Sequence, residues 1–179
     1  MHIRLGQLDD ADGLARVHVD AWRAAYKGIV PDAHLASLSY EQRAERWRNN
    51  ITAPATSGTF LYVAVHDAGH IIGFAGGGPD RDGDPNYLGE LYALYVHPDY
   101  FRRGIGTQLA QTVARRLVQD GMSSMLVWVL ERNPARRFYE SLGGKYLRDK
   151  TVTIGGAELI EVAYGWPDIR ALAQKEQTQ

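Results

Sequence analysis

A stretch of arginine and glycine residues, 102–107, has the composition of an anion-binding loop. It follows an apolar run at 91–96 and precedes apolar residues at helical spacing, so the local order is strand, loop, helix. A helix that begins at such a loop leaves several backbone N–H groups without intrahelical acceptors, and its dipole favours negative charge there. Gly104 and Gly106 lack a Cβ, which lets a ligand approach the backbone. The sequence therefore predicts a phosphate-binding site at this helix start.

Two common phosphate loops do not fit these residues. The P-loop requires Gly-Lys-Ser/Thr, but Gly106 is followed by Thr107 and Gln108. The dinucleotide fingerprint requires a third Gly or Ala where this chain has Leu109. A glycine-rich connector with surface arginines remains the alternative interpretation of so short a pattern.

The loop resembles the acyl-coenzyme A loop of the GNAT N-acetyltransferases, whose pattern is Gln/Arg-x-x-Gly-x-Gly/Ala directly after a central strand. Arg103-Gly104-Ile105-Gly106 fits the pattern, whereas Phe101 occupies the Gln/Arg position. The resemblance implies acetyl-CoA as the acyl donor and a set of residues that contact it. These are Leu94, Tyr95, Val96, Arg102, Arg103, Gly104, Ile105, Gly106, Thr107, Asn133 and Arg136.

A second region carries the same resemblance. Residues 133–143, Asn-Pro-Ala-Arg-Arg-Phe-Tyr-Glu-Ser-Leu-Gly, resemble the family's Asn-x-x-Ala-x-x-Phe-Tyr-x-x-x-Gly-Phe region, with one residue fewer between Asn and Tyr and with Gly144 at the usual Phe. In that family the Tyr, here Tyr139, lies near the thioester sulfur, and the Asn, here Asn133, lies near the pantetheine arm. Glu90 lies at the strand position where histone-type members carry their general base.

Acetyl transfer to an amine requires a neutral amine, a stabilised oxyanion and a proton for the departing thiolate. We expect Glu90 to accept the amine proton, directly or through a water, because alkyl amines with a pKa near ~10.4 are protonated at neutral pH. Tyr139 is expected to donate its phenolic proton to the thiolate. The resemblance suggests the backbone N–H of Leu94 for the oxyanion, which a bulge or splay in the strand would leave unpaired. The alternatives are a solvent-exposed Glu90 at a strand end and a tyrosine at the edge of the core.

Aromatic residues are the candidates for binding the acceptor. Trp22 and Tyr26 lie four residues apart on one helical face, and Tyr92 lies on the central strand. Such helical aromatic residues usually belong to a core, but the first two helices of the GNAT fold form the acceptor wall. Three functions stay open: an acetyltransferase for a small amine, an acetyltransferase for a peptide α-amine or lysine, and a non-catalytic acyl-CoA-binding module. An enclosed pocket would favour the first, and an open groove the second.

Composition excludes several other classes of protein. The 179 residues fit one domain, which we place at 1–166 with a tail at 167–179. With 20 basic and 21 acidic residues in no large blocks, nucleic acid and membranes are not expected partners. The absence of cysteine excludes disulfides and thiolate chemistry, and neither the scattered histidines nor the aspartates at 80, 82 and 84 predict a metal site. We expect a cytoplasmic protein that binds acetyl-CoA and an amine, and a homodimer stays open.

The apolar periodicity predicts the order β-α-α-β-β-β-α-β-α-β-β, which is the GNAT order. The predicted fold is therefore a mixed, mostly antiparallel twisted sheet of about seven strands with helices on both faces. The second helix is predicted over 32–50, a loop over 52–58, a helix that begins at Asn133-Pro134, and a tight hairpin turn at Gly155-Gly156. On the central strand, strict alternation places Glu90, Tyr92, Leu94 and Val96 on one face and Leu91, Ala93 and Tyr95 on the other.

Overall fold

A seven-stranded sheet between two layers of helices positions the site. The computed structural model describes residues 1–52 and 58–174, so most of the loop predicted at 52–58 lies outside the described residues. The strands are β1 (His2–Leu5), β2 (Phe60–Val65), β3 (Ile71–Pro79), β4 (Gly89–Val96), β5 (Met125–Leu130), β6 (Lys145–Ile154) and β7 (Ala157–Trp166). The helices are α1 (Ala11–Ala25), α2 (Asp32–Ser37), α3 (Tyr40–Thr52), α4 (Ile105–Gln119), α5 (Arg136–Ser141) and α6 (Arg170–Gln174).

The strand order is β1-β2-β3-β4-β5-β7-β6. β4 and β5 pair in parallel, and the other neighbouring strands pair antiparallel. The predicted mixed, mostly antiparallel sheet is confirmed. The single parallel pair has a structural cause, since α4 connects β4 to β5 as a crossover helix and brings the chain back in the same direction.

Two cores cover the two faces of the sheet. On one face, Leu14 and Val17 of α1 pack against Phe74 of β3, with side chains of α3 beside them. On the other face, α4 buries Leu109 and Leu117 completely, because apolar residues at helical spacing form one stripe. α6 packs against α4 through Leu172, and Ile169 just before it is fully buried. The segment after Trp166 therefore adds to this second core.

The helix predicted over 32–50 is two helices in the structure. The chain leaves α2 at Leu38, whose backbone is extended. Ser39 then begins α3: its hydroxyl accepts from the N–H of Gln42 at 3.3 Å, and its carbonyl accepts from the N–H of Arg43 at 3.1 Å. Serine in this position replaces the missing intrahelical acceptors of a new helix. The apolar spacing continues through the break, which is why periodicity alone missed it.

A β-bulge changes which side chains of β4 share a face. Gly76 pairs with Ala93 and Gly77 pairs with Leu91, so Tyr92 is the extra residue. Leu91 consequently packs in the α4 core together with Leu94, while Ala93 packs on the α1 side. The predicted strict alternation along the whole strand is wrong, because one unpaired residue reverses the faces on either side of it.

The β6–β7 hairpin turns at Gly155-Gly156, as predicted. Both glycines have positive φ, 59° and 81°, which suits the two central residues of a tight hairpin turn. Gly155 approaches α2 so closely that an added Cβ would lie 2.6 Å from the Cβ of His34. The hairpin therefore closes over the end of α1 and α2. Among the described helices, none has the length and apolar composition needed to cross a bilayer.

Candidate active site

The sheet opens between β4 and β5. Within the described part of the chain, these strands pair only at Gly89↔Met125 and Glu90↔Leu126, and they diverge beyond Glu90. The N–H of His97 donates to the Ile72 carbonyl at 2.8 Å, on the β3 side. Since backbone groups alternate along a strand, the N–H groups of Leu94 and Val96 point the other way, into the opening. The splay that would release these amides from the ladder is thus present.

A cavity of about 590 Å³ occupies this opening. Its walls come from the end of α1, from β4 and β5, and from the segments that begin α4 and α5. Predicted site residues that line it are Tyr26, Tyr92, Leu94, Tyr95, Val96, Arg102, Gly104, Ile105, Gly106, Thr107, Asn133 and Tyr139. Most of the predicted residues are therefore brought together around one cavity.

The start of α4 presents its backbone to one end of the cavity. Gly104 precedes the helix with a φ of 76°, and Arg102 also has a positive φ, 59°. The first hydrogen bond of the helix runs from the N–H of Gln108 to the carbonyl of Gly104, at 3.1 Å. The amides of Ile105, Gly106 and Thr107 consequently have no acceptor in their own helix. This end of the cavity is suited to an anion.

The two loop arginines differ in where they lie. Arg102 lines the cavity and is exposed. Arg103 does not line it: the guanidinium donates to the Asp99 carbonyl at 3.2 Å and lies 5.1 Å from the ring of Tyr100. Phe101, at the position where Gln or Arg is usual, is an exposed side chain on the cavity wall. An apolar ring therefore takes the place of a polar group near the start of α4.

The phenols of Tyr26, Tyr95 and Tyr139 all line the cavity. Tyr139 of α5 is buried, and the Tyr26 and Tyr95 hydroxyl oxygens lie 3.4 Å apart. Burial raises the pKa of Tyr139, and the nearby Tyr95 phenol raises it further. Burial also raises the pKa of Tyr26 and of Tyr95. All three therefore hold their protons at neutral pH and can act as hydrogen-bond donors.

Asn133 and Arg136, both expected to contact the cofactor, have different surroundings. Asn133 is buried on the cavity wall, where its Oδ1 accepts from the N–H of Ala135 at 2.9 Å. This side-chain turn delays the helix, so α5 begins at Arg136 rather than at Pro134 as predicted. Arg136 faces away from the cavity lining: its Nε donates to the Tyr164 hydroxyl at 3.0 Å and its Nη1 to the Glu131 carbonyl at 2.9 Å.

Glu90 is held by an arginine from the loop before β4. Its side chain is 2% exposed and lies outside the cavity lining. The Arg81 guanidinium donates to both carboxylate oxygens, with Nε 3.0 Å from Oε2, and the Arg81 backbone N–H donates to Oε2 at 3.2 Å. The alternative of a solvent-exposed Glu90 is wrong. Arg81 was missed in the sequence because it is one cation among the aspartates of a polar loop.

The loop over 80–88 is bound to β6 through ion pairs. Asp84 pairs with Arg148 at 2.6 Å and Asp82 with Lys150 at 3.2 Å, both on β6. The two basic side chains in turn lie over the ring of Trp128 on β5, with the Lys150 Nζ 3.8 Å from its centroid. In the part of the chain that the structure describes, no group of three or more acidic or histidine side chains is arranged to hold a metal ion.

The predicted acceptor residues do not all reach the cavity. Tyr26 and Tyr92 line it, but Trp22 packs behind them, with its ring 4.7 Å from that of Tyr26 and 6.0 Å from that of His34. Trp128 also lines the cavity and was missed, since a tryptophan within an apolar strand gives no chemical signal. This part of the cavity is therefore lined by aromatic side chains together with alanines of α1.

The mixed sheet opens at its parallel pair, and a helix that begins beside the opening presents free backbone amides to it. This is the arrangement of an acyltransferase. Residues 19–144 match the model of the acetyltransferase (GNAT) family. The chain belongs to this family, and it is an acyltransferase.

The comparisons with individual proteins agree with this family. The chain is 39% identical over 170 residues to the uncharacterized N-acetyltransferase YuaI from Bacillus subtilis (strain 168), covering 95% of each protein. Its fold is similar to that of the PaiA N-acetyltransferase from Thermoplasma acidophilum in complex with coenzyme A, with a TM-score of 0.67 at 22% identity over 90% of this chain and 96% of that one. It is also similar to yncA, a putative acetyltransferase from Salmonella typhimurium with its cofactor acetyl-CoA, with a TM-score of 0.66 at 17% identity over 100% and 97% of the two chains.

Proposed function

We propose that the protein transfers an acetyl group from acetyl-CoA to the primary amine of a small molecule, directly and in a ternary complex. The observation that carries this proposal is the cavity in the splay, with helix-terminal amides at one end and aromatic side chains at the other. Its volume of about 590 Å³ is in the range of small-molecule sites.

The donor end fits acetyl-CoA. The amides of Ile105, Gly106 and Thr107, together with Arg102, would hold the diphosphate. The unpaired backbone groups of Val96 would pair with the pantetheine amides, much as an added strand would. Bound acetyl-CoA supplies the acetyl group as an activated thioester.

Three groups would serve the transfer step. The N–H of Leu94, aimed into the opening, would stabilise the negative charge that develops on the acyl oxygen. Tyr139 would give its proton to the departing sulfur, since its raised pKa keeps the phenol protonated at neutral pH and the thiolate forms beside it. Glu90 would receive the amine proton through a water, since its carboxylate lies behind the lining rather than on it.

The acceptor end favours a small molecule over a peptide. Tyr26, Val30 and Leu35 pack against Leu130 of β5, and the tip of the β6–β7 hairpin lies against His34. These contacts cover the sheet next to the acceptor end, whereas a peptide chain would require an open groove across the sheet. An acceptor end bordered in this way would accommodate a compact amine.

The test is thiol release from acetyl-CoA with a panel of small amines and peptides. Tyr139→Phe is expected to lower kcat by about 100-fold, because it removes one proton donor and leaves the packing nearly unchanged. Tyr146→Phe, an exposed tyrosine on β6, is the matched control. Unchanged rates in both Tyr139→Phe and Glu90→Gln, with activity present, would contradict the assigned roles. Acetylation of peptides alone would contradict the small-molecule acceptor.

A further inference from the structure

A carboxylate on β7 faces the acceptor side of the sheet. Glu161 pairs with Leu130 of β5 across the antiparallel ladder, and directly opposed residues project from the same face. Leu130 is buried against Tyr26, which lines the cavity. Trp128, two residues before Leu130 and on the same face, is also in the cavity wall. Glu161 is not itself part of the cavity lining, but it projects from the same face of the sheet as Leu130 and Trp128 and so lies beside that wall.

The basic residues near this carboxylate are already paired with other acids. Arg81 is bonded to Glu90, and Lys150, which is opposite Glu161 in the β6–β7 ladder, is bonded to Asp82. Arg148, also on β6, pairs with Asp84. By contrast, the Glu161 carboxylate makes no hydrogen bond and no ion pair with any residue in 1–52 or 58–174. Among the acids of this cluster, Glu161 is therefore the one that no basic side chain contacts in a hydrogen bond or ion pair in the described part of the chain.

Burial makes the lack of a partner significant. Glu161 is half-buried, and desolvation raises its pKa, with the charges of Glu90 and Asp82 acting in the same direction and those of Lys150 and Arg81 opposing them. Its charge also acts on the Tyr95 phenol in the cavity. A partly desolvated carboxylate that no cation contacts directly is unfavourable for the fold alone, and it gains stability when a cationic ligand binds beside it.

We propose that Glu161 is a specificity-determining residue that binds a second ammonium group of the acceptor, so that the preferred acceptors are diamines or longer polyamines. This inference rests on the acetyltransferase function proposed above. One amine enters the reaction beside Leu94 and Tyr139, and the far ammonium pairs with Glu161. Glu161 acts on acceptor binding and takes no part in the proton transfers.

Three acceptors of equal chain length test the proposal: 1,4-diaminobutane, n-butylamine and 4-aminobutanoate, whose far ends are a cation, a methyl group and a carboxylate. In the native protein, kcat/KM is expected to be highest for the diamine. Glu161→Gln should raise KM for the diamine about tenfold, leave kcat within about twofold, and change the values for n-butylamine little. Glu158→Gln is the matched control, because this exposed glutamate is three residues away on β7 and projects from the other face.

Several outcomes would overturn the proposal. One is an unchanged ratio of kcat/KM for diamine over monoamine in Glu161→Gln. Another is a preference for 4-aminobutanoate that Arg43→Gln abolishes, since Arg43 of α3 is a half-buried cation whose charge also acts on Tyr95. Acetylation of none of the three amines, with acetyl-CoA still stabilising the protein against heat, would overturn the inference alone. Failure of acetyl-CoA to bind would instead contradict the proposed function.

Discussion

Acidification is expected to destabilise the fold through one buried histidine on α1. His18 packs among the rings of Trp22, Trp47, Phe74 and Tyr95, with centroid distances of 5.1–6.1 Å. Both of its ring nitrogens are buried and have no hydrogen-bond partner among the described residues. Burial lowers the pKa of His18 from 6.5 to about 3, and the charge of Arg43 acts in the same direction. The folded protein therefore holds this imidazole neutral.

The sign of the effect follows from the depressed pKa. The unfolded chain binds a proton at His18 below about pH 6.5, whereas the folded protein does not until about pH 3. Stability is thus full above pH 6.5 and falls as the pH drops toward 3. Each pH unit in this window costs about 1.4 kcal/mol, so about 2.7 kcal/mol of unfolding free energy is lost through His18 at about pH 4.5.

Urea unfolding of the native protein and of His18→Phe, each at neutral pH and at about pH 4.5, measures this loss. Phenylalanine keeps a ring in the aromatic cluster but cannot take up a proton. Other groups titrate equally in both proteins, so the difference between their pH dependences isolates His18. Equal losses of stability in the two proteins would refute the reasoning, as would an imidazole that titrates near 6.5 in the folded state.

Two further changes test other contacts. Arg81→Met should lower the unfolding free energy, measured by urea unfolding, by about 2 kcal/mol or more, because Glu90 stays buried with only a backbone N–H donor. Adding Glu90→Gln should restore much of this free energy, and additive losses in the double variant would contradict the prediction. Gly106→Val should weaken acetyl-CoA binding, measured by calorimetry, at least about tenfold while the fold persists, since a Cβ there lies 3.4 Å from Phe138 and points among the cavity residues. The milder Gly106→Ala is the control. Retained affinity in the valine variant would mean that the diphosphate binds elsewhere.

Local sequence signals predicted the fold well where the physical cause is local. The glycines at 155 and 156 predicted the hairpin turn, and apolar spacing predicted α1 and α4. The glycine-rich loop predicted the helix start that now faces the cavity. Each of these signals depends on a few neighbouring residues, so it can be recognised in the sequence without knowledge of the tertiary structure.

Features that depend on two distant segments were missed. The bulge at Tyr92 exists only relative to the register of β3, so the alternation of β4 alone could not reveal it. The contact between Arg81 and Glu90 joins a polar loop to a buried strand end. Similarly, Arg136 has a predicted role near the cofactor, but its orientation is set by Tyr164 on β7, far along the chain.

The short parallel pairing of β4 with β5 has a mechanical consequence. β1–β4 and β5–β7 form two half-sheets, and in residues 1–52 and 58–174 their direct ladder is confined to Gly89 and Glu90 of β4 with their partners. An extended molecule lying along Leu94 and Val96 would occupy the gap between the two half-sheets and supply hydrogen-bond partners for their unpaired backbone groups. If the bound substrate acts as a temporary eighth strand, hydrogen exchange at those two amides should slow, and the thermal transition should sharpen as the donor concentration rises.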